Sequence, residues 1–197
     1  VGAEAGVKDH LLTMATLPDG RIALITGSGS MQVLDGASVS DYNISGVPDI
    51  FKRTALFVDS KKRIWVGTEE GGAFRCTADG RCDRFDILSG LGSNTIYCFG
   101  EDGAGQVWIG TSEGGAACMS ADGLRAYGPD NGLHGRKIRC LVRDREGNML
   151  IGLYESGLDI FKGDRFITYG EAEGLDDPKV FAVMEDRLQR VWFGTDA

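Results

Sequence analysis

The sequence predicts an all-β fold made of repeated four-stranded units, and three observations carry that prediction. A phrase recurs four times, as RIWVGTEEGGAF at 63–74, QVWIGTSEGGAA at 106–117, NMLIGLYESGLD at 148–159 and RVWFGTDA at 190–197. Its glycine stands at Gly67, Gly110, Gly152 and Gly194, so the repeat length is about 42 residues, that of one β-propeller blade. The punctuation agrees: 30 Gly stand against 4 Pro, and the glycines cluster with Asp, Ser and Asn between short apolar runs, leaving no room for a long helix.

The units read in order as follows. Unit one, 9–48, is degenerate: LLTMATL, RIALIT, MQVLD and SVSDYNI keep the strand order, with Ala23 in place of the tryptophan and the GlyThr step displaced. Unit two, 52–92, runs TALFVD, RIWVGTEE, GGAFRC and RFDIL. Unit three, 94–134, runs TIYCFGED, QVWIGTSE, AACMSA and LRAYG, with tight turns at 102–105 and at Asp122 and Gly123. Unit four, 137–176, runs IRCLVRD, MLIGLYE, GLDIFKG and RFITYG; unit five, 179–197, has only VFAVMED and RVWFGTDA. One propeller-like domain with a core shared between neighbouring units is expected, about four blades plus two strands of a fifth.

Each position of the phrase has a physical task. Trp65, Trp108, Leu150 and Trp192 alternate with aliphatic residues in the second strand, as expected where both faces of a sheet are buried, so the tryptophans read as packing between units. The four glycines allow the next sheet to approach where a side chain would block it. Asp59, Asp102, Asp144 and Asp186 each stand six residues before the Trp or Leu and read as caps of the turn between strands one and two.

Composition narrows the function classes. A net charge of −8 argues against a nucleic-acid partner, which requires a basic stripe to displace counterions. No run of 18 apolar residues is present to span a membrane, so any anchor or targeting segment is expected outside these residues. Among the 5 cysteines, Cys76 and Cys82 flank the turn ADG and form the candidate disulfide pair. Cys98 and Cys140 hold the same place in successive units and read as buried thiols. No cofactor or metal is implied, and carboxylates at 29 of 197 positions fall near one another by chance, so they do not make an active site.

The combination resembles the two-component regulator propeller repeat: Asp59 with IWVGTEEGG, Asp102 with VWIGTSEGG, Asp144 with MLIGLYESGL and Asp186 with VWFGT. A second mark is an aromatic followed by GlyLeu before the next strand, in Phe85 with Gly90 and Leu91, Tyr127 with Gly132 and Leu133, and Tyr169 with Gly174 and Leu175. The resemblance implies the periplasmic sensor region of a bacterial, often hybrid, histidine kinase, reaching the membrane and the kinase only through segments outside this chain. It also implies that the chain is part of a longer receptor and is not itself catalytic. An oligosaccharide or other small molecule is the expected ligand; a protein-interaction scaffold is the alternative, and a propeller lyase or glycosidase the next.

In a propeller, the connections from strand four to the next strand one and from strand two to strand three gather at the funnel face, where ligands dock. The candidate residues there are Asn94, His134, Arg136, Lys137, Tyr154, Asp177 and Lys179, whose mixed donors and aromatic ring suit a carbohydrate. An apolar sheet face at each end of the chain is expected to be covered by a second copy or by other neighbours.

Overall fold

The computed structural model describes residues 9–196. Their strands form five antiparallel sheets in chain order. The first sheet is β1 (Leu11–Thr16), β2 (Ile22–Thr26), β3 (Met31–Asp35) and β4 (Ser38–Asp41); the second is β5 (Arg53–Val58), β6 (Ile64–Thr68), β7 (Ala73–Cys76) and β8 (Cys82–Phe85). The third is β9 (Ile96–Glu101), β10 (Val107–Thr111), β11 (Ala116–Ser120) and β12 (Gly123–Tyr127). The fourth is β13 (Ile138–Arg143), β14 (Met149–Leu153), β15 (Gly157–Lys162) and β16 (Arg165–Tyr169), and the last is β17 (Ala182–Glu185) with β18 (Val191–Gly194).

The first strands pack on one another in succession, β1 on β5, β5 on β9, β9 on β13 and β13 on β17, so they gather around one axis with the fourth strands outermost. The fold is a β-propeller arrangement of blades. Between sheets lie four apolar layers, because neighbouring residues of each second strand face opposite ways: Val66 joins the layer toward the first sheet and Trp65 the layer toward the third. Trp108 and Leu150 extend the series toward the fourth and fifth sheets.

Glycine sets the spacing. A Cβ on Gly67 would lie 2.8 Å from Ile96 Cγ2, and one on Gly110 would lie 2.7 Å from Ile138 Cγ2, both on the first strand of the next blade. The threonine after it closes the following turn, Thr68 Oγ1 donating to the Gly72 carbonyl and Thr111 Oγ1 to that of Gly115, each at 2.8 Å. In the first sheet the expectation of a displaced GlyThr step is corrected. Thr26 holds the same strand position, at the end of β2 and opposite Leu11, and Ile25 stands where the other blades have glycine.

The GlyLeu mark is a strand exit. After Phe85, Tyr127 and Tyr169 the chain makes a single 3₁₀ turn, Ile87–Ser89, Pro129–Asn131 and Glu171–Glu173, closed by Gly90, Gly132 and Gly174 at φ 101°, 99° and 95°. That left-handed conformation is open to glycine without a Cβ clash, and it turns Leu91, Leu133 and Leu175 into the interior. The aromatic before each turn lies on its own blade's tryptophan where there is one: Phe85 on Trp65 at 5.9 Å and Tyr127 on Trp108 at 5.2 Å.

Cys76 and Cys82 are opposite each other in the β7–β8 hairpin and are joined as a disulfide, while Cys98, Cys118 and Cys140 are free. The outer faces of the terminal sheets carry exposed apolar side chains, Met14 on β1 and Met184 and Trp192 on β17 and β18.

Candidate functional site

The turns from second to third strand meet the connections from fourth to next first strand along one rim. Gly72 N donates to the Asn94 carbonyl, Gly115 N to that of Arg136 and Gly157 N to that of Pro178, each at 2.8 Å. The repeat therefore fixes the backbone of this rim and leaves its side chains free to vary between blades.

Between the third and fourth blades the rim opens into a cleft of about 450 Å³, lined by Glu113, His134, Arg136, Lys137, Glu155 and Ser156 among others. Lys137 Nζ pairs with Glu155 Oε1 at 2.9 Å, which holds the Lys137 ammonium above its ordinary pKa. Lys137 also lies over the Tyr154 ring at 5.6 Å, so Tyr154 flanks the cleft. Four of the residues expected from the sequence, His134, Arg136, Lys137 and Tyr154, are thus brought together. Asn94, Asp177 and Lys179 do not line this cleft. Asn94 Oδ1 accepts from the Ile87 amide at 2.9 Å, Asp177 Oδ1 accepts from the Lys179 amide at 2.9 Å, and Lys179 Nζ lies 3.4 Å from Asp196.

Two further features escape a reading of the sequence. Asp159 is fully buried and anchors the connection that carries the cleft residues, accepting from the His134 amide at 2.7 Å and from Thr168 Oγ1 at 2.5 Å. Burial pushes its carboxyl above the ordinary range, against the lowering effect of the Thr168 and His134 hydrogen bonds. Its signal was an acid at the register place where the second and third blades have Phe74 and Ala117, and the first has Gln32.

The second feature is a stack on the innermost strands. β5, β9 and β13 each carry an irregularity at the same register place, between Arg53 and Ala55, Ile96 and Cys98, and Ile138 and Cys140. The residues skipped are Thr54, Tyr97 and Arg139, and a bulge of this kind re-aims the side chain it carries. The Arg139 guanidinium carbon lies 4.7 Å from the Tyr97 ring centre and 4.6 Å from that of Tyr154, with Phe181 at 5.9 Å. Tyr97 and Arg139 each stand one residue before an equivalent cysteine, a spacing that ties them to one place in the repeat.

The profile described as "Two component regulator propeller" matches residues 90–113. Over those residues the repeat matches that family's model, in line with the resemblance carried by its phrase. Those residues run from the Gly90 exit through the first strand and the Asp102 turn to the WxGT phrase, the parts whose packing is described above. No curated protein shows significant sequence similarity to the chain. Among solved structures, the extracellular domain of BT3049 from B. thetaiotaomicron, assigned to a hybrid two component system, is 25% identical with a TM-score of 0.80, covering 94% of this chain and 26% of that one. The extracellular domain of BT4673 from the same organism, also assigned to a hybrid two component system, is 19% identical with a TM-score of 0.75, covering 98% and 29%. Virginiamycin B lyase from Staphylococcus aureus shares the fold at 12% identity and a TM-score of 0.73, covering 96% of this chain and 64% of that one. This chain thus spans roughly a quarter of the BT3049 domain.

Proposed function

We propose that these blades form part of the periplasmic ligand-sensing region of a bacterial two-component receptor, and that the ligand is an oligosaccharide or a fragment of one. The observation that carries the reading is the convergence of His134, Arg136 and Lys137 with Glu155 and Ser156 in a cleft beside the Tyr154 ring. Sugars present hydroxyls that both donate and accept, and apolar ring faces that stack on aromatics, so a rim of mixed polarity next to a tyrosine suits them. A volume of about 450 Å³ lies inside the range of small-molecule sites. The likeness to extracellular domains of B. thetaiotaomicron two component systems supports the sensory role and the extracytoplasmic location. Signalling would pass to a kinase module outside this chain, and the blades themselves carry no reaction in this reading.

A second reading, a protein-interaction scaffold, is favoured by the exposed Met14, Met184 and Trp192 on the two terminal sheets, which a second copy of the chain would bury. Light scattering at micromolar concentration tests it: a monomer rejects self-association. The sensing reading is tested by thermal unfolding against a panel of neutral and acidic oligosaccharides. It predicts a rise in midpoint with at least one sugar, because a ligand that binds only the folded state stabilises it. A flat response across the panel would reject it.

A further inference from the structure

We propose that Arg139, close to the rings of Tyr97 and Tyr154, is an anion-recognition group, and that the ligand of this face carries a carboxylate or sulfate on a sugar ring. The proposal rests on the reading of the funnel rim as the binding face and adds the charge of what binds there.

The other stacked arginines each have their donors served. Arg21, Arg63, Arg75 and Arg190 each lie over an aromatic ring and also pair with a carboxylate, Asp19, Asp59, Asp83 and Asp186 in turn. Arg84 lies over Phe51 and donates to the Gly71 carbonyl. Arg125 lacks such a partner, but it is exposed and water serves its donors. Arg139 is half-buried, its Nε is buried with no hydrogen-bond partner, and no carboxylate pairs with it among the described residues. A guanidinium left this way is under-satisfied, since buried donors normally find acceptors.

Three rings crowd the guanidinium, with centres 4.6, 4.7 and 5.9 Å from its carbon, and the edge of a guanidinium presents parallel N–H groups matched to a two-oxygen acceptor. Carboxylate and sulfate fit that fork with two charged oxygens, where a lone hydroxyl offers one uncharged oxygen. The same stretch adds Arg136, which has no ion pair among the described residues, and Lys137, which pairs with Glu155. Arg136, Lys137 and Arg139 place three cations close together in sequence at this part of the rim, beside Glu113 and Glu155, in a chain of net charge −8.

The test titrates the 197-residue chain calorimetrically with digalacturonate, with its neutral counterpart galactobiose and with inorganic sulfate. Wild type is compared with Arg139→Gln and Arg139→Lys, and unchanged unfolding midpoints establish that the variants fold; Lys keeps the charge but loses the planar fork. The expected result is at least a tenfold preference for digalacturonate over galactobiose, abolished in Arg139→Gln and mostly lost in Arg139→Lys. Equal affinities in wild type, or a preference that survives Arg139→Gln, overturn the proposal while leaving saccharide sensing intact. Sulfate binding that depends on Arg139 without binding of either disaccharide upholds the anion group and rejects the saccharide. No binding by any of the three probes overturns the anion group.

Discussion

The indole N–H of Trp108 donates to Asp102 Oδ2 at 2.9 Å, and Asp102 Oδ1 accepts the amides of Ala104 and Gln106 in the turn between them. Trp65 with Asp59 and Trp192 with Asp186 repeat the bond at the same distance. The turn cap and the packing residue of the phrase are therefore one device: the carboxylate closes the hairpin and satisfies an indole that would otherwise bury an unpaired donor. The first blade has lost both members together, with Leu17 and Ala23 at these places, and the fourth has Leu150 with Asp144 accepting from Asn148 Nδ2 at 2.7 Å instead.

Asp102→Ala leaves the buried indole and two turn amides without their acceptor, and is expected to cost about 3 kcal/mol. Asp102→Asn keeps one acceptor oxygen and should cost less. Urea unfolding of the two variants beside wild type checks the order; equal midpoints for all three would mean the bond contributes nothing.

Gly110→Ala forces a methyl to within 2.5 Å of Cys98 Sγ and 2.7 Å of Ile138 Cγ2, so the fourth blade must shift, at a cost of about 2 kcal/mol. At Gly194 the nearest atom to an added Cβ is 4.0 Å away, and Gly194→Ala is expected within about 0.5 kcal/mol of wild type. Thermal unfolding of the pair separates a spacing role from a general intolerance of alanine.

What the sequence disclosed follows from this economy. Trp65, Gly67, Asp59 and the GlyLeu exit have counterparts with the same task in other blades, all four in the third, and that recurrence makes them visible. Arg139 and Tyr97 stayed hidden because a bulge breaks the alternation that tells an inward from an outward residue, and because their partner Tyr154 comes from a different turn. Asp159 stayed hidden because a lone acid in an apolar strand reads as exposed, while the groups that satisfy it, His134 and Thr168, lie 25 and 9 residues away. In the first blade, Ile25 at the glycine place disguised a threonine still in register.

The raised Asp159 carboxyl makes a pH prediction. A carboxyl whose pKa rises on folding gives stability that is whole below its unfolded value, near 3.8, and declines as pH rises through the folded value. Asp59, held below its ordinary value, acts in the opposite window, losing its contribution as pH falls. Asp159→Asn removes only the first effect. Its stability relative to wild type is therefore expected to be higher at pH 7 than at pH 3.5, read from urea midpoints; a difference independent of pH would refute the buried-acid account.

Burial pushes the Cys118 thiol up to about 12 and the Cys140 thiol to about 11, and Cys98 higher still, so none is ionised near neutrality. In folded protein at pH 8 a thiol reagent should label none of the three, and in urea all three. Opening the Cys76–Cys82 bond by Cys76→Ser with Cys82→Ser is expected to cost about 2 kcal/mol, the effect of closing a short loop. Rapid labelling before unfolding would contradict the packing of the blades around these residues.

The central claim is that the repeated phrase is scaffold and that recognition lies in the rim between blades three and four. The most direct measurement is calorimetric titration of wild type and the Arg136→Ala, Lys137→Ala double variant with whichever oligosaccharide raises the unfolding midpoint. The account predicts an affinity at least tenfold weaker in the variant, with its own unfolding midpoint within a few degrees of wild type. An unchanged affinity would place recognition elsewhere and contradict it.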